Sequence, residues 1–193
     1  KQFIIPKELH IPIRQCLLCR NHEGLDSLSV LLTKAFLTNN DAARGLVDPK
    51  WFDDGGSEGL IALSGAAQGE LGSLLLGKKW ALAHEAAERF KAQFPGRFYV
   101  ELQRAGRPTD ELATARLANF AVEEQLPVVA THPIQFLKPE DFEAHEVRCS
   151  IAEGYTLQDP RRVKLSTQEQ YLKSEAEMSE LFAAIKAAIE MTV

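Results

Sequence analysis

Residues 126–154 read LPVVATHPIQFLKPEDFEAHEVRCSIAEG. Pro127-Val128-Val129-Ala130-Thr131 has the apolar, β-branched character of a buried strand. It stops at His132-Pro133, because a proline cannot donate to a ladder. A short apolar turn, Ile134-Gln135-Phe136, leads to Lys138-Pro139-Glu140-Asp141, where a helix is expected to start. Strand, abrupt polar end and helix make an α/β unit, and such folds build their sites at the carboxyl ends of strands. The residues at this end are an imidazole, a proline and a neutral amide, where a metal or acid–base site would want charge.

The same alternation extends outward. Leu60–Leu63 reads as a short buried strand closed by Ser64-Gly65, with helical residues from Glu70 to Leu76. Lys78 to Phe94 spaces Trp80, Leu82, Ala83, Ala86, Ala87 and Phe90 along one helix face, and Pro95-Gly96 ends it. Arg97–Gln103 is a third strand with Glu101 and Gln103 opposite Val100 and Leu102; a functional and a structural Glu101 are equally open. Thr109-Asp110-Glu111 is expected to cap a helix running through Leu112, Ala115, Leu117, Phe120 and Val122.

Near the start, residues 3–5 and 11–19 read as strands about a turn at Pro6 to His10. Positions 25, 28, 31, 32, 35 and 36 then give an amphipathic helix, 38–46 a polar loop, and Asp48-Pro49 a capped turn. Beyond residue 154 come a polar connector to Lys164, a short helix from Ser166, and a capping box at Ser174–Glu177. The last helix carries Met178, Leu181, Phe182, Ile185 and Ile189 at core spacing. Strand and helix repeat about four times, which predicts βα units on a mostly parallel sheet with a helical tail.

At 193 residues the chain can bury one full core. Its formal charge of −5 gives no broad basic surface for nucleic acid, and Arg104/Arg107 and Arg161/Arg162/Lys164 read as solvated faces. No apolar run approaches the roughly 20 residues of a membrane span, so no membrane partner is expected. Three cysteines make no disulfide framework and suit a reducing cytoplasm. Cys16-x-x-Cys19 would set its thiols on opposite faces of a strand, so two buried thiols are expected there instead of a zinc or redox pair. His84, beside Glu85, reads as a surface residue. Ser64-Gly65 fits neither a P-loop nor a nucleophile elbow. The chain starts on strand-like residues without an initiator methionine and reads as cut from a longer one.

Taken in order, EGLIALSGAAQGEL (58–71), FPGRFYVELQRAGRPTDE (94–111), residues 126–162 and STQEQYLKSEAEMSELF (166–182), with RNHEGLDSLSVLLTKAF (20–36), resemble the PHP (polymerase and histidinol phosphatase) domain of bacterial DNA polymerase III α subunits. The resemblance implies a partial distorted (βα)7 barrel over residues 1–165, and a helical tail over 166–193 leading toward a polymerase core. Metal-binding members typically end the quoted strand T-N-D-x-H, with the Asp and His as ligands; Pro133 and Gln135 stand at those positions. Ala66 replaces the thiol of an S-G-C turn, and Arg14 stands near a family histidine. The H-x-H motif that opens such domains does not occur in these residues. His132 and His145 remain as alternative metal ligands; the one-residue offset should aim His132 away from the old cluster, and capping or packing suits His145.

The implied role is a metal-free, non-catalytic scaffold that docks a proofreading exonuclease subunit and other replicase subunits. No cofactor is expected in this portion; magnesium and DNA would belong to the polymerase core of the parent chain. The rival is an active metal-dependent phosphoesterase or 3′–5′ exonuclease, with a histidinol-phosphatase-like enzyme as a third reading.

Overall fold

The computed structural model describes residues 2–4, 13–38, 45–53 and 55–190. The described residues form six strands: β1 (Gln2–Ile4), β2 (Ile13–Cys19), β3 (Leu46–Val47), β4 (Leu60–Leu63), β5 (Phe98–Gln103) and β6 (Val128–Thr131). Their helices are α1 (His22–Thr38), α2 (Glu70–Leu76), α3 (Trp80–Gln93), α4 (Asp110–Glu123), α5 (Phe142–Glu153), α6 (Glu175–Leu181) and α7 (Lys186–Glu190). The strands lie in the order β3-β1-β2-β4-β5-β6. β4, β5 and β6 are parallel, whereas β2 runs antiparallel to both β1 and β4. β1 and β3 are parallel too, so the sheet is mixed but mostly parallel as expected, with three of five pairings parallel and β2 the one reversed strand among those described. Strand periodicity does not encode direction, and β4 returns antiparallel to β2 although α1 lies between them in the chain. The expected turn at Pro6 to His10 lies outside the described residues.

One face of the sheet carries the core. Leu60 and Ala62 of β4, Phe98, Val100 and Leu102 of β5 and Ala130 of β6 pack with α1, α2, α3 and α4 through Leu31, Leu71, Leu75, Ala87, Phe90, Leu117 and Phe120. Phe90 and Phe98 stack at 4.5 Å between centroids. Alternation places Arg14, Cys16, Leu63, Glu101, Gln103, Val129 and Thr131 on the other face, as the pairings Cys16–Leu63, Glu101–Val129 and Gln103–Thr131 require. Cys16 and Cys19 do point apart, but Cys19 is exposed and Cys16 half-buried, so the expectation of two buried thiols fails at the end of β2.

Helix faces are rotated from the sequence reading in two places. In α1, Leu25 and Phe36 are exposed and Gly24, Leu31 and Ala35 are buried. Gly24 is the reason: a Cβ there would lie 2.0 Å from the carbonyl oxygen of Gly59, so the helix turns its smallest residue to the β4 loop. In α4, Leu112 and Val122 are exposed, and Ala113, Thr114, Leu117, Phe120 and Ala121 face inward. Thr109 makes no side-chain cap; instead the Asp110 carboxylate accepts from the backbone N–H of Ala105 and Arg107, fixing the turn after β5. The Asp48 cap forms as read, with Oδ1 accepting from Lys50 N at 3.0 Å.

Residues 166–173 are a strap, not a helix. Phe136 and Tyr171 form a parallel bridge, Gln135 N donates to the Gln170 carbonyl, and the buried Gln170 side chain donates to the Pro133 carbonyl at 2.9 Å. The last expected helix is broken into α6 and α7. Phe182, between them, is 0% exposed and belongs to the same core as the sheet, and Arg104 lies over its ring while donating to the Leu181 carbonyl. No helix among the described residues is long and apolar enough to cross a membrane.

Two outcomes follow from this packing. Phe182→Ala empties a closed site and is expected to destabilise the fold by about 3–5 kcal/mol, read from urea denaturation. Glu177 accepts from the Ser174 backbone N–H, the Ser174 hydroxyl and the Tyr171 hydroxyl, which lower its carboxyl from 4.5 to about 2. A depressed folded pKa contributes stability above 4.5 that is lost as pH falls toward 2. Glu177→Gln should therefore lower the urea midpoint at neutral pH and flatten its acid dependence in that window.

Candidate functional site

The parallel strands β4, β5 and β6 end side by side, and Glu101 ties the three ends together. Its buried carboxylate accepts from the backbone N–H of Gly65 at 3.0 Å, from Gln103 Nε2 at 2.8 Å and from the Thr131 hydroxyl. Gln103 Nε2 also donates to the Thr131 oxygen at 3.0 Å, and Glu101 N donates to Ser64 Oγ at 2.9 Å. Gly65 is required here. Its φ is +82°, and a Cβ would sit 2.0 Å from the Arg14 carbonyl oxygen, so only glycine lets the turn after β4 close against β2.

Arg14, Pro133 and Gln135, far apart in the chain, line one cavity of about 60 Å³ with Gly65, Glu101 and Gln103. Ala66 follows Gly65 directly and is buried. The structure thus brings Arg14, Pro133 and Gln135 to one cavity, with Ala66 next to its lining residue Gly65. Their chemistry does not fit a metal cluster. Pro133 and Ala66 carry no donor atom, Gln135 offers a neutral amide, and Arg14 brings a fixed positive charge. Glu101 already accepts three hydrogen bonds. Among the described residues, no group of three His, Cys, Asp or Glu side chains is placed to hold a metal ion.

Neither histidine lines this cavity. His132 Nε2 lies 2.7 Å from the Glu169 carbonyl; a carbonyl only accepts, so that nitrogen carries the proton. Nδ1 is buried with no partner among the described residues, and burial is the main cause of the lowered pKa that keeps the ring neutral. The imidazole meets the strap at Glu169. His145 is buried on α5. Arg148 Nη2 lies 3.1 Å from its Nδ1, and a guanidinium only donates, so the proton sits on Nε2, 3.0 Å from Ser166 Oγ. Burial, then the Arg148 charge, lower its pKa. Both ring nitrogens are engaged, which is a packing role. His84 lies on the surface against Glu124.

Sequence reading missed Arg107. It was paired with Arg104 as a solvated patch, but Arg107 lines the cavity while Arg104 packs on Phe182. The two residues lie on a turn, where no periodicity announces which way a side chain goes. Glu101 and Gln103 were legible as neighbours on one strand face; their partners on β4 and β6 were not. Glu101→Ala removes the acceptor of the Gly65 N–H, the Gln103 amide and the Thr131 hydroxyl at once, leaving only the Gln103–Thr131 bond, and a loss of about 2–4 kcal/mol is expected in chemical denaturation. Glu101→Gln should recover only part of it, since its NH2 end faces donors.

Comparison with known proteins places this geometry in a family. The sequence pattern described as "PHP domain" matches residues 4–105, more than half of the chain. The chain is 41% identical over 180 residues to "DNA polymerase III subunit alpha" of Pseudomonas fluorescens, covering 93% of this chain and 15% of the relative. It is 41% identical over 177 residues to the protein of the same description from Vibrio cholerae (92% and 15%), and 40% identical over 176 residues to that of Escherichia coli K12 (91% and 15%). The chain spans about 15% of the length of these relatives. With the family pattern matching over most of the sheet, this chain belongs to the PHP domain family.

Proposed function

We propose that the chain is part of a distorted (βα)7 PHP barrel in a bacterial replicative polymerase α subunit, and that this portion is a non-catalytic scaffold. Residues 1–165 form the barrel portion, and 166–193 the tail running toward the polymerase core. The parent chain carries out DNA-directed DNA synthesis, with its magnesium in that core. The scaffold docks the proofreading exonuclease subunit of the replicase.

One observation carries this reading. The carboxyl ends of β4 to β6 converge on a cavity lined by Arg14, Cys16, Pro133 and Gln135, without imidazole, around a Glu101 already held by three donors. A metal-activated water needs at least three strong donors around the ion, and this lining offers only Glu101 and the Cys16 sulfur. Strand ends that a metal cluster could clamp are clamped by hydrogen bonds instead. The identity to α subunits over nearly the whole chain supports the polymerase context.

The test is one preparation, purified without chelator. Elemental analysis should find no stoichiometric zinc or manganese, added Zn²⁺ or Mn²⁺ should leave the thermal midpoint unmoved, and the exonuclease subunit should co-elute with the chain in EDTA. Tight stoichiometric metal would overturn the scaffold reading in favour of a phosphoesterase or exonuclease.

A further inference from the structure

Two neutral imidazoles hold one strap. His132 Nε2 donates to the Glu169 carbonyl at 2.7 Å, and His145 Nε2 donates to Ser166 Oγ at 3.0 Å. Between these points the strap is bonded to two turns beside the strand ends: Thr167 Oγ1 donates to the Ala105 carbonyl after β5, and Gln170 Nε2 to the Pro133 carbonyl after β6. The other nitrogen of each ring stands where a proton is not accommodated. His132 Nδ1 is buried with no hydrogen-bond partner among the described residues. His145 Nδ1 accepts from the Arg148 guanidinium at 3.1 Å, so a proton there would set donor against donor. The groups facing His132 are Glu169 and Lys173 of the strap, themselves paired at 2.9 Å, and the backbone of Arg104. Facing His145 are Glu146, Arg148 and Cys149 on α5, Arg162 from the connector and the Phe136 ring from the loop after β6; Glu146 is taken by Arg162 at 2.9 Å.

We propose that His132 and His145 together form an acid-sensitive latch: neutral, they fasten residues 166–173 to the loop after β6 and to α5; protonated, they release the strap and loosen the turns that border the strand-end cavity. Burial comes first in holding both rings below their ordinary 6.5, with Lys173 adding at His132 and Arg148 and Arg162 at His145. Each ring is therefore more basic once it has left its site. The closed strap is favoured above 6.5, and protons favour the open one as pH falls below it. A released ring that titrates near its ordinary value raises the opening constant about tenfold between about pH 7.5 and about pH 5.5, and two rings raise it about a hundredfold. That window lies above the one in which Glu177 titrates. The strap leads directly into α6 and Phe182, so the latch sits between the cavity and the tail.

The measurement is amide hydrogen exchange of the full chain in EDTA at about pH 7.5 and about pH 5.5, each rate divided by the intrinsic rate at that pH. The reporters are the Gln135 and Leu172 amides, which donate to the Gln170 and Phe136 carbonyls across the strap. Their protection should fall about tenfold to a hundredfold at the lower pH. At both pH values they should be less protected than the amides of β5, the mark of local opening. The double variant His132→Gln, His145→Gln keeps an N–H donor at each position and does not titrate, so the fall should disappear. Should the double variant fail to fold, each single variant serves, and each should shrink the fall. A wild-type fall below about threefold, or the same fall in the variants, would overturn the latch. Protection equal to that of β5 at both pH values would overturn it too, because the strap would then open only with the whole fold.

Discussion

The structure at the strand ends depends on one buried carboxylate. β4, β5 and β6 are parallel, so their carboxyl ends leave backbone N–H groups and side-chain donors pointing at a common centre. Glu101 gathers one from each: the Gly65 amide after β4, Gln103 on its own strand and Thr131 at the end of β6. A buried charge is tolerable only when it is hydrogen-bonded, and three donors satisfy that condition. The consequence is a fixed spacing of the turns that follow the strands, and the shape of the cavity depends on that spacing.

The loop after β6 is held from outside as well. His132, Pro133, Gln135 and Phe136 all meet the strap of residues 169–172 through backbone hydrogen bonds or the Gln170 amide. Farther along, α5 presents polar residues inward. His145, Glu146 and Ser150 are buried, and Glu146 pairs with the buried Arg162 at 2.9 Å, while Val147 and Ile151 are exposed. Arg162 also pairs with Glu153 at the end of α5, and a helix that packs by hydrogen bonds and two ion pairs to one guanidinium fixes the path of the connector behind it, because each donor bonds in a narrow range of geometry. The connector and strap then deliver Phe182 to the main core.

The same economy extends to the residues around these turns. Pro133 follows the end of β6, and its carbonyl accepts from the Gln170 amide. Alanine at 66 fits the buried turn without needing a partner. Arg14 supplies positive charge without coordination geometry.

Local elements were legible wherever short-range physics sets them. The Asp48 and Ser174 caps, the strand at 60–63, the β5 alternation and the break at Pro95-Gly96 each follow from neighbours within four residues. The order of βα units was legible in the same way, from residue type and spacing, whereas the interest of positions 14, 66, 133 and 135 came from the family resemblance. Three matters were not. The direction of β2 depends on how the chain returns between β1 and β4. The inward faces of α1 and α4 depend on close backbone approach at Gly24 and on Asp110 serving the preceding turn. The strap at 166–173 has helix-compatible residues but finds its partners on the loop after β6. The sequence by itself determined most of the elements and the absence of charged side chains at 66, 133 and 135. Only the tertiary structure decided that Pro133 and Gln135 share a cavity with Arg14, Arg107 and Glu101. Convergence of residues about 90 to 120 positions apart is a property of strand pairing, which no local pattern contains.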